Sequence, residues 1–103
     1  MILLHISSPD VKALRTYAAL LLEQKFVADV RIDTIRRLTL QGKELVEVPR
    51  YLLACKTKAL LFTPIVKFLS DLTKENIPEI YALPLVSVEK HQEEIIRERT
   101  RTV

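Results

Sequence analysis

A chain of 103 residues, 49% apolar and 28% charged, has the size and balance of one ordinary folded domain. Its 16 basic and 13 acidic residues leave a formal charge of +3, spread along the sequence, which suits solubility better than the concentrated basic face that nucleic acid requires. A single glycine, Gly42, excludes the glycine-rich loops of P-loop and dinucleotide-binding fingerprints, and a single cysteine, Cys55, excludes an internal disulfide.

Met1 to Ile6 is too short and too uncharged for a signal peptide, and no apolar run approaches the roughly 20 residues needed to cross a bilayer. A cytoplasmic protein with no membrane partner is the expectation. Met1 to Ser7 is a nearly continuous apolar run, the pattern of a central strand covered on at least one face. Ser8-Pro9-Asp10 ends it. Serine, then proline, then an acid predicts a helix start with Ser8 as the cap, and Val11, Leu14, Ala18, Leu21 and Leu22 follow at helical spacing to about Lys25.

From Ala28 the period becomes two. Ala28, Val30 and Ile32 alternate with Asp29, Arg31 and Asp33, as in a strand with one wet face. A turn at Gln41-Gly42-Lys43 sends the chain back through Leu45 to Thr57, making a long hairpin whose outer part, Thr34 to Pro49, is more polar and extends past the core. Pro49 lacks a backbone donor, so it predicts an edge or a bulge. Lys58 to Phe62 reads as a turn into a second helix, with Thr63-Pro64 as its start and Ile65, Phe68, Leu69 and Leu72 as its apolar stripe.

Ile77-Pro78-Glu79-Ile80-Tyr81-Ala82-Leu83-Pro84 is an apolar strand held between two prolines, which confine ladder formation to Glu79 through Leu83 and place Glu79 at the strand mouth. Ser87 is the expected cap of a third helix, with Val88, Gln92, Ile95, Ile96 and Arg99 at helical spacing. The element order is βαββαβ plus a C-terminal helix. It specifies an α+β, ferredoxin-like domain over residues 1–103, with two helices on one face of an antiparallel sheet.

Three separated stretches together resemble the CutA family of divalent-cation tolerance proteins. They are Ser7-Ser8-Pro9-Asp10, Leu52-Leu53-Ala54-Cys55-Lys56-Thr57, and Ile77 to Pro84, which correspond to the family's T-C-P-D, its apolar stretch ending K-T, and V-P-E-I-x-A-L-P. The resemblance implies a non-enzymatic homotrimer in which the hairpin Thr34 to Pro49 is an assembly arm. An unpaired long hairpin supports that reading independently, because open strand edges invite association unless something pairs them.

The resemblance also implies divalent-cation chemistry, yet the family's soft ligands are replaced. Ser8 stands at the cysteine of T-C-P-D, and Thr73-Lys74-Glu75-Asn76 stands in place of a histidine-bearing H-P-Y-E stretch. A hydroxyl is a poor copper or zinc ligand beside a thiolate or imidazole, so no metal ligand and no cofactor is assigned. His5 and His91 have no second nitrogen or sulfur ligand at a useful spacing, and Cys55 reads as a small core hydrophobe. Arg31, Arg36 and Arg37 form a modest basic patch without the aromatics that single-stranded nucleic acid favours, so no nucleic-acid partner is expected.

No serine lies in a nucleophile-elbow context, and no acid, base and nucleophile set is evident, so no catalytic residue is assigned. The candidate ligand-binding set is Ser8, Asp10, Lys56, Thr57 and Glu79, placed in an inter-subunit cleft for a small molecule or metal ion on the expectation that the ends of the first and third strands meet in a ferredoxin-like sheet and the fourth strand flanks the first. Two functions follow: an ion-tolerance or ion-response protein, or a trimeric signalling module similar to the PII proteins that binds a nucleotide or metabolite between subunits.

Overall fold

Strand β1 (Ile2–Ser8) lies inside the sheet, with Leu4 and Ile6 fully buried on one face and Leu3 and His5 half-buried on the other. The computed structural model describes all of residues 1–103. Helix α1 (Val11–Glu23) follows, then strands β2 (Arg31–Gln41) and β3 (Glu44–Thr57), helix α2 (Phe62–Thr73), strand β4 (Glu79–Pro84) and helix α3 (Lys90–Arg99). The sheet is antiparallel in the order β2-β3-β1-β4, the α+β arrangement that the element order specified.

Register decides which side chains meet. Leu4 pairs with Cys55 and Ala82, and Ile6 pairs with Leu53 and Ile80, so these residues share the face covered by α1 and α2. Leu14 and Leu21 of α1 and Ile65 and Leu69 of α2 close the core over them, each fully buried. Each such side chain contributes about 1.5–3 kcal/mol by leaving water. Leu72, expected in the α2 stripe, is exposed at the helix end.

The opposite face carries Leu3, His5, Ser7, Leu52, Ala54, Lys56, Glu79, Tyr81 and Leu83 by the alternation of the pleat. Helix α3 packs at one end of it, where Ala54 is buried; Ser7 is buried towards the other end, and the rest of the face is half-buried or exposed.

Helix termini differ from the expected ones for identifiable reasons. Helix α1 stops at Glu23 because Lys25 turns left-handed, φ 58, and the amides of Lys25 and Phe26 donate back to the carbonyls of Leu22 and Leu21. That paired bonding is a Schellman stop, and it drops Phe26 into the core. Residues 28–30, expected in β2, are not in the ladder, which begins at Arg31. Helix α2 begins at Phe62 rather than at Thr63-Pro64, because a 3-10 turn over Ala59–Leu61 leads straight into it, and Pro64 falls in the first turn where no amide is needed.

Glu89, not Ser87, caps α3. Its carboxylate accepts from the amides of His91 and Gln92 at 3.0 Å each, and those bonds hold its pKa below the usual value. The chain then folds back, and Arg101 lies 4.3 Å over the Phe26 ring while donating to the Gln24 carbonyl at 2.6 Å.

Beyond Tyr51, which pairs with Ser8, strand β3 has β2 as its only neighbour. From Ile35↔Arg50 to Gln41↔Glu44 the hairpin is therefore a two-stranded arm, about 20 Å long at strand rise, and it stretches the molecule to 49 Å against 30 and 19 Å. Pro49 lies opposite Arg36 in unbroken register, so the open edge of the arm, not a bulge, accommodates it. Gly42 turns the tip with φ 64, a left-handed conformation that glycine adopts without a Cβ clash.

Candidate functional site

Pro9 has no amide to extend the ladder, so the chain leaves the sheet at Ser8 and must restart as a helix within two residues. Asp10 caps that helix. Its Oδ1 accepts from the amides of Lys12 at 3.0 Å and Ala13 at 3.3 Å, whereas the Ser8 hydroxyl accepts from the Asp10 amide at 3.1 Å. The cap expected at Ser8 thus falls to Asp10: a carboxylate is the stronger acceptor at the positive end of a helix, and Ser8 fixes the bend around Pro9 instead.

Glu79 opens β4 opposite Ser7, on the face away from α1 and α2. Arg37 reaches it from the arm, donating through Nη2 to both carboxylate oxygens at 2.9 and 2.7 Å. Arg50 completes the cluster, donating to Glu79 Oε2 at 3.4 Å and through Nε to the Ser7 hydroxyl at 3.1 Å. Three strands and the arm are tied at this one point. The Arg50 side chain is only 16% exposed, so its guanidinium is the anchor, while the Arg37 pair is open to solvent and contributes at most about 1 kcal/mol.

Glu79 stands out in the sequence, whereas Ser7 and Arg50 do not, and Arg37 reads there as part of a basic patch. That patch is neutralised in place: Arg31 pairs with Asp33, Arg36 with Glu47 and Arg37 with Glu79. The available signal was alternation, since odd-numbered Arg37 on β2 and even-numbered Arg50 on β3 share a face once the turn is centred on Gly42-Lys43.

Ser8, Asp10 and Glu79 line one open cavity of about 720 Å³, with Arg50, Glu75 and Asn76 on its walls. Lys56 and Thr57 are elsewhere. Thr57 pairs with Ile2 and Ser8 with Tyr51, so the two groups stand at opposite ends of the β1–β3 ladder, about 20 Å apart at strand rise. The end of β1 meets the arm side of β3, not its end. Within one chain the five residues therefore form no common cleft. Thr57 is fully buried, and its hydroxyl donates to the Phe26 carbonyl at 2.7 Å, while Lys56 points to α3 and contacts Gln92 Oε1 at 3.4 Å.

His5 Nδ1 lies 3.0 Å from the Tyr81 hydroxyl on the open sheet face, the two rings edge to face at 5.1 Å. His91 is exposed in the first turn of α3. Cys55 is buried in the core, and burial first, then the charge of Asp29, pushes its thiol up to about 12, so at neutral pH it is a protonated, unreactive hydrophobe.

No three His, Cys, Asp or Glu side chains converge on a point that could hold a metal ion. With the Ser8 hydroxyl engaged by the Asp10 amide and no imidazole in the 73–76 stretch, the residues of one chain do not fit a copper-type site. Ser7 and Ser8 have guanidinium and amide partners, respectively, and neither is bonded to a histidine or carboxylate that would activate it.

No helix is long and apolar enough to cross a membrane. No family model matches the chain, and no curated protein matches it. Solved structures do. CutA1 from Pyrococcus horikoshii superimposes with a TM-score of 0.85 at 18% identity, covering 99% of this chain and 100% of that one. The divalent cation tolerance protein (Cut A1) from Thermus thermophilus gives 0.80 at 28% identity, covering 98% and 100%. A protein named as the periplasmic divalent cation tolerance protein CutA from Archaeoglobus fulgidus gives 0.80 at 22% identity, covering 96% and 98%. The resemblance carried by three short motifs thus extends to the whole chain, which has the fold of the CutA1 divalent cation tolerance proteins.

Proposed function

We propose that this protein works in divalent-cation tolerance or ion response as a non-enzymatic homotrimer. The observation that carries the reading is the likeness to divalent cation tolerance proteins across essentially the full length of both chains. The arm supports assembly: Leu38, Leu40, Leu45 and Val48 are exposed along it, and its free edge lacks a partner strand. Tyr81 and Leu83 add to the apolar surface on the open sheet face. A closed ring of subunits covers both and leaves no edge open.

Within this reading the cavity lined by Ser8, Asp10 and Glu79 is the inter-subunit ligand cleft, and Thr57 is not part of it, since its hydroxyl is spent on Phe26. The nucleotide-binding alternative gains no observation, as the lone glycine sits at the tip of the arm.

Sedimentation equilibrium at micromolar concentration tests the assembly. Three copies of the 11.9 kDa chain give about 36 kDa, and a species of one chain's mass overturns it. Growth of a deletion strain on graded copper and zinc, with and without the restored gene, tests the role: equal sensitivity in both removes ion tolerance. The cytoplasm is the compartment this reading assigns, and recovery of a C-terminally tagged chain in a periplasmic extract overturns that.

A further inference from the structure

A second cavity, of about 270 Å³, lies between α3 and the far end of the β1–β3 ladder, away from Ser8 and Glu79. Its floor is apolar: Leu3 and Ala54 from the sheet, Ile95 and Ile96 from α3. Ala54 and Ala28 are small residues on its lining, and just past the C-terminal end of α3 the Arg101 clasp on Gln24 ties the chain to the end of α1.

The rim is ionic, and its charges are unevenly satisfied. Arg31 is occupied by Asp33 at 3.0 Å. Lys56 has only the neutral amide of Gln92 at 3.4 Å. Asp29 and Arg99 have no ion-pair or side-chain hydrogen-bond partner, although both line the same cavity. Opposite charges that share a rim without pairing, above an apolar floor, are complementary to a molecule that carries both charges and an apolar tail. Convergence of a few polar groups on an apolar pocket is the general form of a small-molecule site.

We propose that this cavity binds a small zwitterion with an aliphatic side chain, an apolar α-amino acid, whose carboxylate meets Arg99 and Lys56, whose ammonium meets Asp29, and whose side chain rests on Leu3, Ala54, Ile95 and Ile96. A volume just under the usual lower bound of about 300 Å³ for ligand pockets suits an occupant of amino-acid size. The site shares no residue with the cavity at Ser8, Asp10 and Glu79, but Leu3 on its floor pairs with Leu83, so it requires that the proposed ring of subunits leave the α3 end of this sheet face open.

Isothermal titration calorimetry of the full-length protein with three probes tests it: L-leucine, 4-methylpentanoate, which lacks the ammonium, and isopentylamine, which lacks the carboxylate. A site that pairs a charged group rejects the analogue lacking it, so each truncated probe is expected to bind at least about tenfold more weakly than leucine. Asp29→Asn should bring leucine and 4-methylpentanoate to within about twofold of each other, and Arg99→Gln should weaken leucine by about tenfold; both positions are exposed, and urea melts verify that the variants fold. Absence of leucine heat overturns the proposal. So does 4-methylpentanoate binding as tightly as leucine, which marks a plain anion site, and so does leucine affinity unchanged in both variants, which places the binding elsewhere.

Discussion

Replacing Thr57 by valine separates a structural latch from a ligand residue. The side chain is fully buried at the end of β3, and its hydroxyl donates at 2.7 Å to the carbonyl of Phe26, the first residue after the left-handed turn that stops α1. Valine keeps the volume and the β-branched shape, so packing is nearly conserved, but the Phe26 carbonyl is left in the interior without its donor. An orphaned buried carbonyl costs about 1–3 kcal/mol, and threonine to serine, which retains the hydroxyl and removes one methyl, costs about 1 kcal/mol by burial alone. Urea unfolding at one fixed protein concentration measures both, which keeps the comparison valid under the proposed assembly as well. Thermal scans should show valine lower by about 4–8 °C per kcal/mol, the scale for a chain of this length. Equal stability of wild type and Thr57→Val, within about 0.5 kcal/mol, would show that the bond contributes nothing and return Thr57 to the list of ligand candidates.

Three other perturbations have defined directions. Asp10→Ala removes the cap of α1 and should cost about 1 kcal/mol, against less for Ser8→Ala; the reverse order in urea melts would restore Ser8 as the cap. Glu79→Gln leaves Arg37 and Arg50 facing a neutral amide and should cost about 0.5–1.5 kcal/mol at low salt, shrinking above about 0.5 M NaCl as exposed charges are screened; a cost that ignores salt refutes the electrostatic account. Cys55 has a folded pKa raised from 9.0 to about 12, so its contribution is fully present below pH 9 and is lost as pH rises toward 12, where the unfolded thiol ionises and the folded one does not. The alkaline fall in stability should therefore be shallower in Cys55→Ala, and unchanged steepness argues against burial of the thiol.

Most of the fold was legible because its signals are local. Pro9 and Asp10 announce α1, the change of period near Val30 announces the hairpin, and the prolines at 78 and 84 bracket β4. Helix boundaries moved by two or three residues wherever two capping groups compete, as Ser8 with Asp10 and Ser87 with Glu89, since the ionised acceptor takes the amides and a residue-type pattern does not rank them. The left-handed Lys25 was invisible for the opposite reason. Nothing marks a lysine for that conformation, and the core position of Phe26 and the clasp by Arg101 impose it.

The candidate site was less legible, because it depends on contacts between strands more than forty residues apart in sequence. Lys56 and Thr57 were grouped with Ser8 on the premise that the ends of β1 and β3 meet, but an antiparallel pair brings the end of one strand to the beginning of the other's shared ladder, here Ser8 to Tyr51. The same register gives Ser7 its Arg50 and Glu79 its Arg37, so the residues that replace Lys56 and Thr57 beside Glu79 come from the base of the arm. The arm and the cavity wall are thereby linked through Arg37, Arg50 and Glu79. A change that shifts the arm relative to the sheet must break the Arg37–Glu79 contact and disturb Arg50, which also holds Ser7 at the wall of the cavity. In the assembly proposed above, a subunit that grips the arm would act on the geometry around Ser8 and Asp10 without touching either residue.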